Sequence, residues 1–185
     1  VARNRVQIPH EERRADLIAA ATEVFLARGY EGATMDDISK AAGVTRANIY
    51  WYFTSKDEIF SAVMEQLLRR DFSALAVEHA GLDAATRLTR GLASMRSYRP
   101  LHQAMHDRLL HHDGVRAAHD LWLGWVREMV GRVLDERGIE SDRDLAAHLI
   151  EAVFEAVHVP LEHRQPPHEM IRYILDLIGE RATRS

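Results

Sequence analysis

Three features of the 185-residue sequence predict an all-α fold of about nine helices. Apolar residues recur at helical spacing from about residue 10 almost to the C-terminus. No stretch sustains the alternation of β-branched and polar residues that a half-buried strand needs, and there is no Asn-Gly hairpin turn. Glycine, proline and N-capping residues divide the periodic stretches into helix-sized pieces.

Residues 1–8 (VARNRVQI) carry Arg3 and Arg5 without periodicity and read as a loose arm. From His10 to Arg28, Leu17, Ile18, Ala21, Val24 and Phe25 mark one face of a helix that Gly29 ends. Thr34 suits the N-cap of a short helix, Met35 to Ala42, closed at Gly43. Thr45 caps a second, Arg46 to Tyr52. Ser55 caps a long helix, with Glu58 at the capping-box position. Two short helices joined by a few residues around Gly43 have the spacing of a helix-turn-helix, with Ile38, Val44 and Ile49 placed to fix their angle. The remaining helices are expected over 56–79, 83–97, 100–112, 115–137, 142–163 and 168–182, with Pro160 kinking or ending the eighth near His158. This divides the chain into an N-terminal arm and helix-turn-helix domain, 1–55, and a larger helical domain, 56–185.

Composition narrows the classes. Apolar residues make up 46% of the chain, enough for a sizeable core, yet no run is long enough to span a bilayer and no secretory pattern opens the sequence. The expected location is the cytoplasm. The absence of cysteine excludes disulfides, thiolate metal sites and thiol nucleophiles. A net charge of −4 rules out a bulk basic domain, so any DNA contact depends on local placement of charge.

The helix-turn-helix supplies that placement. Residues at the N-terminus of a recognition helix reach base edges in the major groove. Arg46 can donate two bonds to guanine, Asn48 can pair with adenine, and Ala47 can pack on a thymine methyl. Thr34 and Thr45 sit at helix N-termini, where phosphate oxygens bind. Lys56 opens its helix against the dipole, which a phosphate partner would explain. The run Tyr50-Trp51-Tyr52-Phe53 cannot be all core, since consecutive helical side chains point in four directions. Phe53 is assigned to the core beneath Phe25 and Ile49, and the other three to the DNA edge.

The stretch 34-TMDDISKAAGVTRANIYWYFTSKDEI-59 resembles the DNA-binding segment of the TetR family of transcriptional repressors. The residues that carry the resemblance are Thr34, Ile38, Ala42-Gly43-Val44-Thr45, Tyr50, Tyr52-Phe53 and Lys56, with Ala21, Phe25 and Gly29-Tyr30 before them. Ser39 stands where many members have alanine. The resemblance covers about 50 residues. It implies that Thr34, Thr45, Tyr50, Tyr52 and Lys56 contact phosphates, that Trp51 touches sugar, phosphate or a thymine methyl, and that Arg46, Ala47 and Asn48 contact bases. It also implies a homodimer reading a palindromic operator on double-stranded DNA, released by a small, largely apolar effector, with no cofactor, no metal and no enzymatic activity.

For the body, two readings stand side by side. Leu88, Leu92, Met95, Tyr98, Met105, Leu109, Trp122, Trp125, Val126 and Met129 either line an adaptable ligand pocket or form ordinary core. Leu149, Val153, Val157 and Leu161, with Ile171, Ile174, Leu175 and Ile178, either form a four-helix dimer interface with a second copy or pack within the chain. Ten of the eleven histidines follow residue 78, and His102 and His106 stand at i, i+4. That spacing supports an alternative function, a helical metal-dependent hydrolase, although no third ligand is evident.

Overall fold

The structure, a computed structural model, describes residues 10–78, 81–94, 99–139, 144–146, 148–150, 152 and 167–183. Helix is the only regular structure among them. Helix α1, His10–Gly32, is broken at Gly29, whose φ of 69° and ψ of 174° leave the helical region, as the sequence led us to expect. Helices α2, Met35–Ala41, and α3, Arg46–Tyr52, follow. Between them Gly43 turns the chain at φ 63°, a left-handed conformation that a Cβ would disfavour.

Thr34 caps α2 through a full capping box: its hydroxyl accepts from the Asp37 amide and the Asp37 carboxylate accepts from the Thr34 amide. The Thr45 hydroxyl accepts from the Asn48 amide at the start of α3. At α4, Lys56–Glu78, only half of the expected box forms. The Glu58 amide donates to Ser55 Oγ at 3.1 Å, but the Glu58 carboxylate reaches one residue further, taking the Thr54 amide at 2.6 Å and its hydroxyl at 2.7 Å.

Helices α5, Ala84–Ser94, α6, Arg99–Arg108, and α7, Asp113–Glu136, build the body. Asp83 caps α5 through the Thr86 amide at 2.9 Å. Helix α6 ends four residues before the expected residue 112, and α7 begins earlier than 115, because His112 is itself the N-cap of α7: its Nδ1 accepts from the Val115 amide. Helical backbone at 144–146, 148–150 and 152 falls within the eighth expected span, and a C-terminal helix runs Pro167–Thr183. The arm with Arg3 and Arg5, and Met95, Tyr98, Val153, Val157 and Leu161, lie outside the described residues, as does the side chain of Leu92.

One buried cluster runs through the described helices. Leu17, Ile18, Ala21 and Phe25 of α1 meet Met35 and Ile38 of α2, Ile49 and Phe53 at α3, and Ile59, Phe60 and Val63 of α4. Phe60 sits edge-on to both Phe25 and Tyr30, at centroid distances of 5.3 and 4.8 Å. Helix α4 then packs on α7 and α5, while α6 packs on both α1 and α7. Two helices thus connect the helix-turn-helix to the body: α4 by chain continuity, α6 by contact with α1. Among the described residues no helix is long and apolar enough to cross a membrane.

Candidate nucleic-acid interface

The recognition helix is held from beneath by Ile49 and by Phe53, its C-cap, both fully buried. That anchorage leaves Arg46, Ala47, Asn48, Tyr50 and Trp51 exposed on α3. Arg46 is already engaged. Its Nη1 pairs with Asp36 Oδ1 of α2 at 3.2 Å, its Nη2 donates to the Tyr50 hydroxyl at 3.2 Å, and its guanidinium lies 5.4 Å from the Tyr50 ring centroid. The Tyr50 hydrogen bond, followed by the charge of Asp36, raises the affinity of Arg46 for its proton. Ala47 and Asn48 stand beside it with no side-chain bond among the described residues.

The aromatic run divides much as its position on the helix predicts. Trp51 is 71% exposed, more than any other tryptophan, tyrosine or phenylalanine described. Tyr52 is half-buried against a residue that sequence reasoning had not singled out. His10, the first residue of α1, lies 4.6 Å from the Tyr52 ring and 5.0 Å from the Trp51 ring. Trp51 and Tyr52 meet edge to face at 4.8 Å. These three rings tie the start of α1 to the end of α3. Nothing in local sequence pairs residues so far apart.

The expected phosphate contacts are unequally placed. The Thr45 hydroxyl is exposed at the α3 N-terminus and uses only its acceptor function locally. Thr34, by contrast, gives its hydroxyl proton to Asp37 Oδ2 at 2.6 Å and its amide to the same oxygen at 3.1 Å. That hydroxyl bond is the leading reason the Asp37 carboxyl titrates below its ordinary range, and Arg28 Nη1 adds an ion pair at 2.9 Å. Lys56 has a local explanation as well. Its ammonium donates to the carbonyls of Tyr30 and Ala33 at 2.9 and 3.1 Å and lies 4.0 Å from the Tyr30 ring centroid. The unfavourable cation at an α4 N-terminus is offset by carbonyls at the end of α1, which it satisfies.

Next to Lys56, Asp57 forms the main polar junction with the body. Arg108, the last residue of α6, grips its carboxylate bidentately, with Nη2 to Oδ2 at 2.8 Å and Nε to Oδ1. Tyr30 donates its hydroxyl to the same Oδ1 at 2.5 Å, and the Arg108 guanidinium lies 4.6 Å from the Tyr30 ring centroid. Burial would raise the Asp57 carboxyl, but the bonds from Arg108 and Tyr30 outweigh it and hold it below the usual carboxylate range. Burial, then the bond to Asp57, pushes the Tyr30 phenol well above its ordinary value. The 51-residue separation of Asp57 and Arg108 hid this junction from sequence reasoning.

In the body, Leu88, Met105, Trp122 and Val126 are fully buried and Met129 nearly so, while Leu109 and Trp125 are half-buried. Phe72 of α4 stacks on Trp125 at 4.8 Å, and Trp125 on Trp122 at 5.7 Å. His102 is fully buried, with its ring 4.6 Å from that of His106, which lies 4.9 Å from His119. Among the described residues no group of three or more His, Asp or Glu is arranged to hold a metal. The expected dimer surface narrows. Ile171 and Leu175 are buried inside the single chain, where the C-terminal helix packs on α5, and so present no surface to a second copy. Ile174 and Ile178 are half-buried, and Leu145, Leu149, Tyr173 and Leu177 are exposed.

Comparison with known proteins gives these features a family. The model of the bacterial regulatory proteins, tetR family, matches residues 17–63, the span from α1 into α4. The uncharacterized HTH-type transcriptional regulator TtgW of Pseudomonas putida is 32% identical over 125 residues, 63% of this chain and 93% of TtgW. The chain belongs to the TetR family. The HTH-type transcriptional regulator SrpR of Pseudomonas putida is 29% identical over 143 residues, 73% of this chain and 67% of SrpR. A transcriptional regulator from Rhodococcus sp. Rha1 shares the fold at a TM-score of 0.69 and 21% identity, over 92% of this chain and 96% of that one. TetR-family proteins are DNA-binding transcription regulators and not enzymes, so the hydrolase alternative finds no support.

Proposed function

We propose that this TetR-family regulator acts as a homodimer on a palindromic operator, as a repressor that a small, largely apolar molecule releases. One observation carries the DNA-reading part: α3 is anchored by buried Ile49 and Phe53 and presents Arg46, Ala47 and Asn48 to solvent at its N-terminal end. Those three read bases. Thr45, Tyr50, Trp51 and Tyr52 brace the helix on the sugar-phosphate backbone. Lys56 has two of its three donors on the carbonyls of Tyr30 and Ala33 and offers the third to a phosphate. Thr34 contacts phosphate only where the anion replaces Asp37 as its partner.

Residues 1–55 serve as the reading head and 56–185 as the ligand-binding and dimerisation body, in the cytoplasm. The dimer face comprises Leu145, Leu149, Tyr173 and Leu177, bordered by Ile174 and Ile178, all at least partly exposed in the single chain. The effector site lies among Leu88, Met105, Trp122, Trp125 and Val126, buried or half-buried side chains of α5, α6 and α7. A ligand there releases the operator only by binding one state of the head-and-body arrangement more tightly than the other. The test is retardation of a short duplex from the protein's own upstream region by the purified protein. Retardation lost in Arg46→Ala with an unchanged melting temperature supports the reading; no binding to any native upstream DNA at low salt refutes it.

A further inference from the structure

We propose that Asp36, on the first turn of α2, is a specificity-determining positioning residue for the regulator, acting through Arg46 to suppress binding to non-operator DNA. This rests on the reading of Arg46 as a base contact. An arginine on a recognition helix can satisfy itself on any phosphate, and that sequence-independent attraction dominates non-specific affinity. Here Arg46 reaches away to a phosphate only by giving up two partners. Asp36 takes Nη1 at 3.2 Å, and the Tyr50 hydroxyl takes Nη2 at 3.2 Å from one helical turn further along α3. The two partners hold the guanidinium from α2 and from α3.

Counting donors decides what that clamp permits. A guanidinium has five N–H groups. One goes to Asp36 and one to Tyr50, which leaves enough for the two bonds of a guanine edge. A guanine met from the clamped position therefore adds to the existing partners. A phosphate elsewhere on the duplex requires the side chain to swing away and leave both. The carboxylate also neutralises the guanidinium before DNA arrives, so the pair releases fewer counterions on a random sequence. Asp37, the neighbouring acid, cannot substitute, because it is bound to Thr34 and Arg28. Both members of the Arg46–Asp36 pair are more than half exposed, so the pair adds little to folding stability. Its consequence falls on the choice between DNA sequences.

The test compares Asp36→Asn, Arg46→Ala and the double variant on two duplexes: one recovered by selecting genomic DNA on the purified protein, and a shuffled version of it. Fluorescence anisotropy across about 50–200 mM salt gives both affinity and salt slope. Asp36→Asn is expected to strengthen binding to the shuffled duplex about threefold and to steepen its salt slope by about 0.9, the signature of one more phosphate contact. Operator affinity should change by less than that, so the ratio of specific to non-specific binding falls. In the Arg46→Ala background the same Asp36 change should have no effect on the shuffled duplex. Equal strengthening on both duplexes, or an Asp36 effect that persists without Arg46, overturns the proposal and reduces Asp36 to a surface charge. An Arg46→Ala protein that discriminates the two duplexes as well as the parent would instead remove the base-reading assignment, and this inference with it.

Discussion

Replacing Arg108 by Met should loosen the junction between reading head and body by an amount the structure lets us set. The Arg108 and Asp57 side chains are only 27% and 19% exposed, and they share two parallel bonds. Hydrogen bonds to charged groups contribute about 1.5–3 kcal/mol, and a carboxylate left half-buried with one remaining partner retains much of its desolvation penalty. We expect a loss of about 2 kcal/mol. For a chain of 185 residues this lowers the melting temperature by about 4–8 °C. The control is Arg132→Met, which breaks an exposed i, i+4 pair with Glu128 on α7 and should cost less than about 1 kcal/mol. Asp57→Asn together with Arg108→Met should be less damaging than the sum of the single changes, because neither charge is then stranded. The pH dependence has a definite sign. The folded Asp57 carboxyl lies below its unfolded value, so its contribution is present above about pH 4 and disappears as pH falls through the folded value. Melting curves of parent and Arg108→Met, recorded by circular dichroism, should therefore converge in acid. A drop at pH 7 no larger than that of Arg132→Met, or a difference that persists unchanged in acid, would refute the reasoning.

Three further outcomes follow from the same geometry. Arg46→Ala should relax operator preference at one base pair by roughly ten- to a hundredfold, whereas Tyr50→Phe should weaken all sequences alike, as measured by selection on randomised duplexes. Phe53→Ala empties a fully buried ring site and should destabilise the fold by about 3–5 kcal/mol, seen as a fall in the denaturant midpoint, whatever its effect on DNA. Leu149→Glu with Tyr173→Glu should shift sedimentation from dimer to monomer with helix content retained. Ile171→Ala, buried within the chain, should instead cost about 2–5 kcal/mol of stability.

What the sequence revealed depended on how far apart in the chain the relevant partners lie. The caps at Thr34 and Thr45 and the turns at Gly29 and Gly43 are settled within three or four residues, and all were legible. Glu58 shows the limit even there: two neighbouring hydroxyl residues, Thr54 and Ser55, compete for its carboxylate, and spacing alone favours the wrong one. Lys56 stands out in the sequence as electrostatically misplaced, but its carbonyl partners, 23 and 26 residues away, leave no local signal. His112 caps α7 although imidazole seldom fills that position, so sequence spacing places the start of the helix two residues late. The stripe on the C-terminal helix is apolar by periodicity, but periodicity does not say whether a second chain or the rest of the same chain covers it. Ile171 and Leu175 are buried within the single chain, on a helix that packs on α5.

Lys56 and Asp57 are neighbours on the first turn of α4, and each fastens a different piece to it. Lys56 holds the carbonyls that end α1, and Asp57 holds the end of α6 through Arg108. Tyr30 belongs to both attachments, giving its carbonyl to Lys56, its hydroxyl to Asp57 and its ring to both cations. The helix-turn-helix and the helical body therefore meet in one polar cluster rather than only along the length of α4. In the proposed regulatory cycle, a ligand that shifts α6 acts on α4 at the end nearest α3. An ion pair with a strong directional preference either holds or lets go, whereas an apolar helix contact can slide. In that proposed cycle, a ligand acts by binding more tightly to the state in which this junction is either kept or broken.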